Sequence, residues 1–187
     1  MRVSVRINQE MSESSEKKKV TIVTHSSGFH TDDIFAVATL LLVLEKDHDV
    51  SIVRSRDKEI AEKADFLVDY GGINDQEINR FDHHQEVKIT HKNGIKYAAF
   101  GLVWKKFGTE LAGSEKAANL INKRLAAPID AWDNGLDLVE NKYNVTPYYI
   151  QHFFISMVPT WREKDKSNDE MFLKSVEIAK EVLSREI

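Results

Sequence analysis

The stretch VTIVTHSSGFHTDDIFAVATLLLVLEKDHDVSIV, residues 20–53, decides the fold. Val20 to Thr24 is a short β-branched run, as expected of a strand. Asp32 to Glu45 reads as a helix, and Val50 to Val53 is a second strand-like run. Working outward, Lys58 to Ala64 reads as a short helix and Phe66 to Val68 as a third strand. Strands and helices alternating at these spacings build βαβ units, so the expected fold is α/β, a mainly parallel sheet flanked by helices. Beyond Asp82 the signals change. Asn93-Gly94 lies between Lys88–Lys92 and Ile95–Tyr97 as a tight turn, and from Ala98 the chain reads mainly helical. The expected helices are Ala98–Phe107, Ser114–Leu125, Pro147–Met157 and Asn168–Ser184, with Pro128 interrupting the second. Trp104, Phe107, Leu120, Ile121 and Leu125 are spaced as helical core. Residues 1–19 are polar, include the triple lysine Lys17–Lys19, and read as a flexible tail ahead of one domain over residues 20–187.

A chain of 187 residues is long enough to bury a core and too short for two large domains. With 42% hydrophobic and 30% charged residues, the composition is that of a soluble globular protein. The longest apolar run, Ile34 to Leu44, is too short to span a bilayer, so no membrane partner is expected. The absence of cysteine removes disulfides, thiolate metal sites and cysteine nucleophiles together. No signal-peptide pattern stands at the N-terminus, which makes cytoplasm the expected location. A formal net charge of −4 argues against a surface basic all over, though not against a local basic groove.

Four of the seven histidines fall in two short segments: His25 and His30 in THSSGFHTDD, residues 24–33, and His83 and His84 in FDHHQ, residues 81–85. An Asp-His-His triplet arises roughly 0.02 times per shuffled chain of this composition, so chance is a poor account. Imidazole and carboxylate together suit Mn, Fe, Co or Zn. Position adds to this, because His25, Asp57, Asp69 and Asp82 each follow a strand. In an open parallel sheet such groups converge at the carboxyl edge, where ligands bind.

Each group also has a plainer explanation. Asp32 and Asp33 stand where a helix N-terminus favours acids, and Asp57 is best read as the cap of the helix from Lys58. Arg54 and Arg56 share a strand face, either for a phosphate or as an exposed pair. Gly71-Gly72 reads as a turn. His48, His91 and His152 are isolated and expected at the surface or satisfied by neighbours. Asp130 and Asp133 lie on one helical face, or Asp133-Asn-Gly makes a turn. Nucleophile-elbow, zincin and P-loop signatures are absent.

In combination these segments resemble the DHH phosphoesterase superfamily and, more closely, the melanocyte-proliferating-gene family. The residues that carry the resemblance are TH-(x)3-FHTDD up to Asp33, Arg54-x-Arg56-Asp57, Val68-Asp69-x-Gly71-Gly72, FDHHQ, FGLVW from Phe100 and Asp130-Ala-x-Asp133-Asn-Gly. It covers about Val20 to the C-terminus and implies a DHH-type catalytic lobe with RNA exonuclease activity. Family members usually continue into a second lobe, which has no counterpart in this sequence. Ala98-Ala99 stands where they tend to have paired serines.

The resemblance implies two divalent ions, with Mn²⁺ favoured and Mg²⁺, Co²⁺ or Zn²⁺ as alternatives. It gives His25 and His30 to one ion and Asp32, His83 and Asp133 to the other, with Asp69 bridging. His84 would face the substrate phosphate and Asp82 would orient an imidazole. The expected function is metal-dependent hydrolysis of a phosphodiester in RNA or a short oligonucleotide. A small phosphate compound and a non-catalytic metal-binding module are the alternatives. Lys92, Lys96 and Lys105, in an acid-free segment between Val87 and Thr109, are a candidate landing strip for a polyanion or else a solvated face. A homo-oligomer, or a partner supplying the second lobe, is the expected association.

Overall fold

The computed structural model describes residues 17–187, so most of the expected tail, residues 1–16, lies outside the described residues. In chain order the elements are β1 (Lys18–Thr24), α1 (Thr31–Leu44), β2 (His48–Arg54), α2 (Lys58–Glu62), β3 (Phe66–Val68), β4 (Asn74–Asp75) and β5 (Arg80–Phe81). A helical part follows: α3 (Ala99–Leu111), α4 (Glu115–Ile121), a π-helical turn (Asn122–Ala126), α5 (Ala127–Asp133), α6 (Ile150–Ser156) and α7 (Asn168–Glu186). The α/β architecture expected from the sequence is present. Its five strands are ordered β2-β1-β3-β5-β4, all pairs parallel except β4 with β5.

Strand periodicity divides the core. Val20, Ile22, Phe66 and Val68 face the main core, while Val23 and Leu67, one residue out of phase, face a small cluster with Ala61 and Ala64 under α2. On the main face α1 packs between the sheet, α3 and α7, which is why it is apolar almost all round and buried along most of its length. Phe35 of α1 meets Phe100 of α3 at 5.2 Å and Phe154 of α6 at 5.5 Å between ring centroids. Each such fully buried ring contributes about 2–3 kcal/mol. No helix of the described residues is long and apolar enough to cross a membrane.

Three expectations need correction. Lys18 and Lys19 belong to β1, whose parallel pairing to β2 extends to Lys18 opposite His48. Pro128 does not end its helix: the π turn has already broken the regular ladder there, and Pro128 sits in the first turn of α5, where a missing N–H is tolerated. Leu120 is 55% exposed, while Ile121 and Leu125 of the same expected stripe are buried.

Gly101 marks the closest approach between helices. A Cβ there would fall 1.8 Å from Asp130 Oδ2, and that carboxylate is held by His91 and by the Gly101 N–H itself. Gly101→Ala should therefore lower stability by about 2–3 kcal/mol, as overpacking against a fixed group does. Urea unfolding followed by circular dichroism measures it, and an unchanged midpoint would show that Asp130 is free to move.

Candidate metal centre

The parallel strands deliver chemistry to one edge. His25 directly follows β1, Asp69 follows β3, and Asp82 and His83 follow β5. Backbone bonds fix these exits: Asp69 N–H donates to Phe81 O at 3.0 Å and Asp82 N–H to Ile73 O at 3.1 Å. Asp69 has φ +51°, a left-handed conformation that side chains other than glycine rarely adopt and that here turns its carboxylate into the site.

Asp69 sits between two imidazoles. Its Oδ2 lies 3.3 Å from His25 Nε2 and its Oδ1 lies 3.2 Å from His83 Nε2. His83 Nε2 is also 3.2 Å from Asp133 Oδ2, delivered by the last turn of α5. Potential ligand atoms of His25, His30 and Asp69 lie within 4.8 Å of one another, as do those of Asp69, His83 and His84, and those of His30, Asp32 and Asp133. The structure thus brings together all eight residues expected at the site, His25, His30, Asp32, Asp69, Asp82, His83, His84 and Asp133. They line or adjoin a cleft of about 910 Å³.

The residues fit divalent ions. Asp32, Asp33 and Asp69 are buried, yet Asp32 Oδ1, Asp33 Oδ2 and Asp69 Oδ1 have no aligned hydrogen-bond partner. A buried carboxylate left in that state needs a cation. Burial, then Asp69, Asp133 and Asp33, drive the Asp32 carboxyl well above its ordinary range. Burial alone would lower His25, but Asp33 and Asp69 push it up to about 10. Burial would raise Asp69, and the two imidazoles outweigh it and hold the carboxyl well below its usual range. The rises at Asp32 and His25 share one cause, an excess of buried negative charge that a bound cation would offset. A mixed nitrogen and oxygen donor set without sulfur suits Mn, Fe, Co or Zn.

Around these groups stands a supporting shell. Asp82 Oδ2 accepts the Gly72 N–H at 2.5 Å, and its Oδ1 lies 2.6 Å from Nδ1 of the exposed His84. Gly72 has φ +72°, so the glycine pair is a shaped turn against Asp82. Asp32 Oδ2 accepts the Ala99 N–H at the start of α3, where the alanines are fully buried and only backbone faces the carboxylate. Asp57 caps α2 through Glu59 N–H, as its sequence position suggests.

Several residues lie elsewhere than expected. Arg54 does not reach the cleft. Its guanidinium donates to Asp169 Oδ1 at 2.6 Å and to the carbonyls of Ser27 and Gly28, and lies 4.6 Å from the Phe172 ring centroid. Its side chain, only 2% exposed, pins the loop after β1 to α7. Arg56 does line the cleft, with Nη2 3.3 Å from His25 Nδ1. Lys92, Lys96 and Lys105 are exposed and outside the cleft lining.

His91, expected at the surface or satisfied by neighbours, is the satisfied kind. It is buried, with Nε2 2.6 Å from Asp130 Oδ2, its ring stacked 3.7 Å from Tyr97 and Nδ1 3.3 Å from the Asn122 amide. Burial pushes Asp130 up to about 6, with His91 opposing the rise. Asp33 was also underrated. Its Oδ1 accepts the His30 N–H at 3.0 Å as a helix-start acid should, but its Oδ2 reaches to 3.1 Å from His25 Nε2. The Asp32-Asp33 doublet held that signal, masked because a helix N-terminus already explains an acid.

A family model described as Uncharacterised protein family (UPF0160) matches residues 21–187. Among curated proteins, the chain is 31% identical to a MYG1 protein of Caenorhabditis elegans over 89% of this chain and 54% of the relative. It is 30% identical to a MYG1 protein of Saccharomyces cerevisiae over 92% of this chain and 56% of the relative. It is 28% identical to the MYG1 exonuclease of Homo sapiens over 86% of this chain and 48% of the relative. The chain spans about half the length of these curated relatives. No solved structure matches it significantly.

The two arginines, two residues apart, should part company on mutation. Arg54→Met removes charge-assisted bonds from a buried side chain and should lower stability by about 2 kcal/mol. Arg56→Met, at an exposed position, should leave the unfolding midpoint within about 0.5 kcal/mol of wild type while weakening inorganic phosphate binding. Denaturant melts and phosphate titration separate them, and equal destabilisation by both would contradict the assignment.

Proposed function

The chain belongs to the MYG1 family (UPF0160), and on that footing we propose that it is a nuclease-like phosphohydrolase of DHH type working with two divalent ions. Its substrate is a phosphodiester in RNA or a short oligonucleotide. One observation carries the proposal: Asp69 lies between His25 and His83, one carboxylate oxygen toward each ring. His25, His30 and Asp69 would hold one ion, and Asp69, Asp32, His83 and Asp133 the other. When bound, the ions neutralise phosphoryl oxygens and make an attacking water more acidic.

The chain's own groups do the rest. Asp82, placed by Gly72, fixes His84 through Nδ1 and leaves Nε2 on an exposed ring, where the doubly protonated imidazolium would donate to a phosphate oxygen. Arg56 adds a cation on the cleft wall that clamps a second phosphoryl oxygen. A cleft of about 910 Å³ holds more than a pyrophosphate. The Asn134 amide, next to Asp133, donates to the carbonyls of Lys96 and Tyr97. The lysine-bearing hairpin is thereby tied beside the centre, as a strand entering the cleft would require.

After chelation, hydrolysis of a short RNA should return more fully with Mn²⁺ than with Mg²⁺, because imidazole favours the softer ion. Titration calorimetry should find up to two ions per chain. Asp69→Asn should lose at least one ion and roughly 10³-fold in kcat, about 4 kcal/mol of transition-state stabilisation. A folded Asp69→Asn protein that keeps two ions and full turnover would sink the two-metal proposal.

Replacing Lys92, Lys96 and Lys105 together should reduce the salt slope of RNA binding by about 2, at roughly 0.7 per phosphate contact. Anisotropy measured across a salt series would show it, and an unchanged slope would assign the lysines to solvent alone.

A further inference from the structure

The helix that brings Asp133 to the metal-ligating cluster presents a tryptophan one residue earlier. Trp132 is 39% exposed, and it is not alone. The His152 ring meets it edge-on at 4.9 Å and the Tyr149 ring lies 5.7 Å away, while Tyr148 lies 5.3 Å from His152. The Tyr149 backbone N–H donates to His152 Nδ1 at 3.0 Å, which fixes the His152 ring at the start of α6. Tyr148 is 72% exposed. Trp132, Tyr149 and Ile150 line a second cavity of about 510 Å³, distinct from the cleft.

This aromatic group is held on one flank of the cluster. Trp132 adjoins Asp133 in sequence, and α6 is anchored by Phe154 on Phe35, three residues beyond Asp32. Trp132 leaves the same last turn of α5 as Asp133, about 100° round the helix axis, so the rings face the neighbouring cavity while Asp133 faces the cleft. Half-exposed flat rings are poorly solvated, and their natural occupant beside a phosphodiester site is another flat π system. A nucleobase on the strand being cleaved has that shape, and stacking accepts every base. Inorganic phosphate and pyrophosphate have no such face.

We propose that Trp132, Tyr148, Tyr149 and His152 form a stacking subsite for a base of single-stranded nucleic acid, next to the Asp133 flank of the metal centre. The subsite rests on the nuclease reading above and sharpens it, since it selects base-bearing strands over other phosphodiesters of equal charge.

The test is equilibrium binding by the full chain, stripped of metal so that hydrolysis does not intervene. The probes are a short fluorescent single-stranded RNA and an abasic ribose-phosphate strand of the same length. The wild type should bind the base-bearing strand about tenfold or more tighter, the scale of one good stack. Trp132→Ala should abolish that preference, Trp132→Phe should retain it, and Trp161→Ala, an exposed tryptophan outside the group, should not alter it. If Trp132→Ala fails to fold by circular dichroism, Tyr148→Ala carries the test. Equal wild-type affinity for both strands, or an unchanged preference in the folded alanine variant, overturns the subsite. Mn²⁺-dependent RNA hydrolysis alongside that result would leave the nuclease reading standing. A base preference lost in the alanine variant supports the subsite even if no RNA is cleaved, in which case the nuclease reading is what fails.

Discussion

The fold is organised around carboxylates removed from water. Asp32, Asp33, Asp69 and Asp82 are each no more than 6% exposed, and all stand at the carboxyl edge of the sheet or the start of α1. Taking one such ion out of water costs several kcal/mol unless hydrogen bonds and opposite charge offset it. Much of the local backbone is arranged to do so: the N–H groups of His30, Gly72 and Ala99 each point at one of these side chains. One oxygen on each of Asp32, Asp33 and Asp69 has no aligned hydrogen-bond partner, and those of Asp33 and Asp69 lie beside the imidazole nitrogens of His25 and His83. So many carboxylate groups gathered at one place could hold a cation.

Topology makes the convergence possible. Three parallel strands end at one level, so residues far apart in sequence emerge side by side, and the left-handed turn at Asp69 aims its carboxylate between the two rings. The later elements are tied onto that edge. Lys88 donates to the His83 carbonyl, His91 grips Asp130, and Asn134 holds the hairpin carbonyls. The hairpin over residues 88–97 is thus bonded at three places to the elements that carry His83 and Asp133. Removing any one of those ties would loosen His83 or Asp133 without touching either side chain.

How much of this was legible in the sequence follows from what kind of interaction each residue makes. The strands and α1 announced themselves by local pattern, and the residues after each strand could be placed because parallel strands end together. Arg54 and Arg56 could not be told apart. Their spacing suggests one strand face, yet β2 ends at Arg54, and what holds Arg54 away from the cleft is Asp169, 115 residues away along the chain. His91 was unreadable for the same reason, its partner lying 39 residues on. Nothing local to Trp132 tells that its ring is left half in solvent against the His152 ring of α6. Local chemistry is visible in sequence, whereas pairings across the fold are not.

The helix from Glu115 to Asp133 shows how one segment serves two demands. Ile121, Leu125 and Ile129 recur every four residues and are all buried. In a regular α-helix a spacing of four drifts by about 40° per step, so the two steps would turn the stripe by about 80° away from the core. The π turn at Asn122–Ala126 is wider and absorbs the drift, keeping the stripe facing inward. It also breaks the hydrogen-bond ladder just where Pro128 has no N–H to give. Beyond it, Asp130 meets the first turn of α3 and His91, while Asp133 meets His83. Two acids three residues apart thus reach opposite fates, one sealed into the core by an imidazole and one presented to the cleft. The irregular turn lets the helix keep its apolar stripe buried while its end reaches the site.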